Sequence, residues 1–90
     1  MSEQNKPTIV VVDDEEPIRR FLRIALDSHG YNVIEAASAA EGIKQIVAYS
    51  PDAVLLDLGL PDTDGMSVIQ KVREWSSVPI IVLSARGQED

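Results

Sequence analysis

The chain has 90 residues, enough for one domain, and carries 15 acidic against eight basic residues. The net charge of −7 sets aside general affinity for nucleic acid or anionic membranes. There is no cysteine, which excludes disulfides and thiolate metal sites and fits a cytoplasmic protein, and no apolar run approaches the ~20 residues of a membrane span.

Residues 1–7 read as a polar tail without the apolar core of a secretory signal. Thr8 to Val12 is a nearly continuous β-branched run, the pattern of a parallel strand buried on both faces. Pro17 suits the first turn of a helix, and Ile18, Phe21, Leu22, Ala25 and Leu26 recur at helical spacing as its buried side. Arg19, Arg20 and Arg23 fall on the other side and read as a solvated face; Gly30 is the expected terminator, with His29 a helix-end residue.

Tyr31 to Glu35 is the second predicted strand. Ser38 followed by Glu41 matches a capping box, and Ala39, Ala40, Ile43, Ile46 and Val47 line one side of a second helix, which Pro51-Asp52 breaks. Ala53 to Leu56 is the third strand, ended by Asp57. The Gly-, Pro- and Asp-rich segment from Leu58 to Gly65 is a loop, with Asp62 read as a turn residue and Asp64 as the cap of the next helix. Met66, Ile69 and Val72 mark that helix's buried side, and Trp75 packs near its end. Val78 to Leu83 is the fourth strand, left through Ser84-Ala85-Arg86-Gly87.

The βαβαβαβ order implies an α/β fold: a parallel sheet, right-handed crossovers and helices on both faces. In such sheets ligands bind beyond the carboxyl ends of the strands. Asp13, Asp14, Asp57 and Ser84 all occupy that end. Neighbouring strands lie ~5 Å apart, so the three carboxylates come within reach of one ion. Three clustered negative charges repel one another unless a cation joins them, and all-oxygen ligands suit a hard divalent ion such as Mg²⁺. The residues therefore point to a magnesium site built for phosphoryl chemistry.

Several pieces now match a family. Val11-Val12-Asp13-Asp14-Glu15 follows the first strand, Leu55-Leu56-Asp57-Leu58-Gly59-Leu60-Pro61 the third, Asp64-Gly65 opens a helix, and Val78-Pro79-Ile80-Ile81-Val82-Leu83-Ser84-Ala85 forms the fourth strand and its exit. In this order and spacing the chain resembles the receiver domain of two-component response regulators. Within that family, Arg19-Arg20-Phe21-Leu22-Arg23, Leu58-Gly59-Leu60-Pro61-Asp62 and Ser84-Ala85-Arg86 resemble the Kdp potassium-transport branch.

The resemblance implies a flavodoxin-like three-layer sandwich with sheet order 2-1-3-4, here lacking the family's fifth strand and last helices, so that residues 8–90 read as an incomplete receiver. It implies Asp57 as the acceptor of a phosphoryl group from a sensor histidine kinase. It implies Mg²⁺ held by Asp13, Asp14, Asp57 and the Gly59 carbonyl, and Ser84 as a switch hydroxyl. The family's lysine, which ends a fifth strand and pairs with the phosphoryl group, is absent from this chain. DNA binding and transcription control are expected of an effector domain in a longer parent, not of this domain, and the first helix is where the family meets its kinase. With no fifth strand beside it, the fourth strand becomes an apolar edge, for which a homo-oligomer is expected.

Two other readings compete. A haloacid-dehalogenase-type phosphohydrolase also uses Mg²⁺ and an aspartate nucleophile, but needs Asp-x-Asp where this chain has adjacent Asp13-Asp14. A degenerate receiver serving only as an interaction surface is opposed by the retention of Asp13, Asp14, Asp57 and Ser84.

Overall fold

A computed structural model describes residues 6–84. Four strands alternate with three helices: β1 (Thr8–Val12), α1 (Glu16–Ser28), β2 (Asn32–Ala36), α2 (Ala39–Tyr49), β3 (Ala53–Asp57), α3 (Gly65–Arg73) and β4 (Ile80–Ser84). The strands form one parallel sheet in the order β2-β1-β3-β4. This is the predicted α/β architecture and sheet order. The fourth strand begins two residues later than the apolar run Val78-Pro79 suggested, and the second is shifted by one.

β1 and β3 are central, and their apolar residues form the heart of the core. Val10, Val12, Val54 and Leu56 are buried with Ala36, Ala39, Ile46, Leu60, Val68 and Val72. The β-branched run of β1 is covered on both faces, as a parallel strand between two helix layers must be.

The helix ends follow local chemistry. α1 stops at Gly30, whose φ of +90° suits a residue without Cβ; the Leu26 carbonyl accepts from the amides of both His29 and Tyr31. Ser38 caps α2 by accepting from the Glu41 amide, while Glu41 reaches back to the Ala37 amide. Asp64 caps α3 by accepting from Ser67 at 2.8 Å.

Three expected buried faces are corrected. No residue of α1 is fully buried; Ile18 is exposed and Phe21 is 68% exposed, while Leu22, Ala25 and Leu26 take the sheet-facing positions in part. On α2 the tight contacts come from Ala39, Gly42 and Ile46, and Ala40 and Val47 face outward. On α3, Val68 and Val72 are buried while Met66 is 54% exposed. On α2, Gly42 lies directly against Val12 and so sets which side of the helix meets the sheet, which periodicity alone does not encode.

Candidate metal centre

The β1 ladder runs on one residue past the strand, with the Asp13 amide donating to the Ala36 carbonyl at 3.0 Å. This extension holds Asp13 at the sheet end, where it is only 4% exposed. Its Oδ1 accepts from the Glu15 amide at 2.9 Å, which fixes the side chain over the turn into α1. Asp14 is exposed. Asp57, the last residue of β3, is fully buried, and its Oδ1 accepts from the Gly59 amide at 3.3 Å.

Asp13, Asp14 and Asp57 each bring a carboxylate oxygen to within 4.8 Å of the other two. Two of these acids are buried and one is exposed, so the group is closed toward the core and open on one side. Such a donor set fits a hard divalent cation, which would relieve the repulsion among the three charges. Beside it lies a cleft of about 340 Å³ lined by Asp13, Glu15, Asp57, Ile18, Phe21 and Leu22, and by Leu83 of β4. The α1 residues expected in the core thus help to wall an opening that leads to Asp57.

β4 contributes by register. Val54, Leu55 and Leu56 pair in step with Ile80, Ile81 and Val82, and then Asp57 pairs with Ser84, so Leu83 is an extra residue. The irregularity brings Ser84 opposite Asp57, where an unbroken register would have brought Leu83. The Ser84 side chain lies outside the described residues, as do the family-like residues that follow it.

Two charged residues have partners that a reading by composition and spacing does not supply. Arg19 is not simply solvated: its Nη1 donates to the Asp13 carbonyl at 2.8 Å and its Nε to Glu35 at 3.1 Å, while Arg23 holds the other Glu35 oxygen at 2.9 Å. Asp62 is more than a turn residue. Its two oxygens accept from the Ala39 and Ala40 amides at 2.9 and 3.0 Å, capping a helix 22 to 23 positions earlier in the chain. These backbone donors hold the Asp62 carboxyl below the usual carboxylate range. Trp75 stands at the opposite end of the sheet, in a cleft with Ile46, Pro51 and Val78, away from the acids.

The model of the response regulator receiver domain matches residues 9–90. The chain belongs to the response regulator receiver domain family. The receiver is 49% identical over 81 residues to the KDP operon transcriptional regulatory protein KdpE of Escherichia coli, which covers 90% of this chain and 36% of that protein. It is 43% identical over 89 residues to the transcriptional regulatory protein ResD of Bacillus subtilis, covering 99% and 37%. Among solved structures it is similar to the N-terminal domain of a response regulator receiver protein from Methanoculleus marisnigri, with a TM-score of 0.84 at 31% identity over 89% of this chain and 68% of that one. The chain spans about a third of the length of the curated relatives it matches. As a receiver it is a phospho-accepting signalling module, and the expected likeness to the Kdp branch is borne out. The phosphohydrolase reading has no support in these likenesses.

Proposed function

We propose that Asp57 is the phosphoryl acceptor of this receiver, served by a Mg²⁺ ion that Asp13, Asp14, Asp57 and the Gly59 carbonyl hold. The observation that carries the reading is the convergence of three carboxylates at the ends of β1 and β3 beside an open cleft. The donor is the phosphohistidine of a sensor kinase. Its N–P bond breaks as an Asp57 carboxylate oxygen forms a bond to phosphorus, and the electron pair leaves on the imidazole nitrogen. When bound, the cation supplies positive charge that offsets the charge on the transferring phosphoryl oxygens.

The chain's own residues do the rest. Asp57 is fully buried, and the cleft that it lines with Ile18, Phe21 and Leu83 is the approach open to a donor. Asp13, fixed by the Glu15 amide, holds one side of the cation site. The backbone pairing of Ser84 with Asp57 supports reading Ser84 as the switch hydroxyl. The output this receiver serves is control of transcription through a DNA-binding domain, in keeping with the transcriptional regulatory relatives. A cytoplasmic site of action suits that output, and no helix of the described residues is long and apolar enough to cross a membrane.

The test uses acetyl phosphate as donor. Incubation with MgCl2, borohydride trapping and mass spectrometry should place the label on Asp57 and lose it in Asp57→Asn. Calorimetric titration with MgCl2 should show binding that Asp14→Asn and Asp57→Asn weaken. Label on another residue would overturn the acceptor assignment. Protein left unlabelled while still binding Mg²⁺ would favour a receiver that serves only as an interaction surface.

A further inference from the structure

The loop from Leu58 to Asp64 joins β3 to α3 and carries Gly59. Its base is held in three ways. The Gly59 amide donates to Asp57, the Gly65 amide donates to the Leu58 carbonyl at 3.0 Å, and Leu60 is buried in the core. Its tip, Pro61-Asp62-Thr63, is exposed. At this tip the Asp62 carboxylate reaches the first two amides of α2, Ala39 and Ala40.

α2 is in turn pressed onto β1. A Cβ built on Gly42 would stand 2.9 Å from Cγ2 of Val12, so the helix backbone sits directly on the residue that precedes Asp13. The connection therefore runs from the loop tip through Asp62 to the start of α2, through Gly42 to Val12, and so to the acids. Ser38 already caps the same helix end through the Glu41 amide. Asp62 thus satisfies donors that Ser38 leaves to others, and it does so from a different element.

We propose that Asp62 is a positioning residue for the cation site, holding the loop that bears Gly59 at a set distance from the acids at the end of β1. This rests on the reading of Asp13, Asp14, Asp57 and the Gly59 carbonyl as the ligands. Groups that orient metal ligands without touching the metal commonly change affinity by ~10–100-fold when removed. Asp62 is such a group for a ligand that has no side chain of its own to be oriented.

The experiment compares Asp62→Ala, Asp62→Asn and Ser38→Ala in the full chain. Mg²⁺ affinity is measured by calorimetry, and amide hydrogen exchange at Leu58, Gly59 and Leu60 is measured without metal. Asp62→Ala should lower Mg²⁺ affinity about tenfold and speed exchange at those three amides. Asp62→Asn keeps one acceptor oxygen and should lose less. Ser38→Ala removes a cap from the same helix end without touching the loop, and should leave Mg²⁺ affinity unchanged. Equal losses in Asp62→Ala and Ser38→Ala would reduce Asp62 to a helix cap and overturn the proposal. Equal losses in Asp62→Ala and Asp62→Asn, with exchange unchanged, would assign the effect to charge and overturn it as well. Failure of the unsubstituted protein to bind Mg²⁺ would overturn the ligand assignment itself; unchanged exchange in Asp62→Ala would overturn the positioning role whether or not the ion binds.

Discussion

Arg19 ties the first helix to the site: its guanidinium donates to the Asp13 backbone carbonyl at 2.8 Å and simultaneously to Glu35 at 3.1 Å. One planar fork thereby joins α1, the end of β1 and β2. Arg19 is largely covered, with 17% of its side chain exposed, so its charged hydrogen bonds are less screened than a surface pair. Arg19→Ala should cost about 1.5–3 kcal/mol, read from urea melts. Arg19→Lys should recover little of it, because an ammonium cannot span both acceptors with the same geometry. Full recovery by lysine would show that charge alone matters.

Gly65 is the start of α3 and lies against the strand that ends in Asp57. A Cβ there would stand 2.7 Å from the Leu58 Cα, which is backbone and cannot rotate away. Gly65→Ala should destabilise by about 1–3 kcal/mol and shift the amide resonances of Leu58 and Gly59. A variant with native stability and unshifted resonances would show that the helix start moves freely.

Asp62 makes a prediction in acid. Its carboxyl is held below the usual range by the Ala39 and Ala40 amides. A lowered folded-state pKa means that the unfolded chain binds the proton more readily, so the stabilisation is fully present above the unfolded pKa and is lost as pH falls through the folded one. The stability gap between the protein and Asp62→Asn should be constant near neutrality and shrink below about pH 4. Urea midpoints across that range check this; a gap that widens in acid would contradict the cap.

β4 is the edge of the sheet formed by the described residues, with Ile81 54% and Val82 45% exposed. Exposed apolar edges recruit other strands. The chain is expected to self-associate through β4, giving a melting midpoint that rises with protein concentration. Ile81→Lys should weaken that dependence. Light scattering showing a strict monomer at all concentrations would dispose of the edge-pairing expectation.

Features that depend on near neighbours are legible in the chain itself. The β-branched runs of β1 and β3, the helical spacing of the α segments, the Ser38 and Asp64 caps and the Gly30 stop are settled within a few residues, because hydrogen bonds and side-chain period act at that range. The clustering of Asp13, Asp14 and Asp57 was legible for a related reason: parallel strands carry their carboxyl ends to one side, so acids that end strands must meet there. Other features depend on partners far apart in the chain. Asp62 finds its amides on α2, and Arg19 finds Glu35 on β2, through packing that brings separate elements together. The division of the acid pair into a buried Asp13 and an exposed Asp14 follows from the ladder bond to Ala36, which carries the strand geometry one residue further. The extra Leu83 that brings Ser84 opposite Asp57 is equally invisible in an apolar run, since register is defined only against a neighbouring strand.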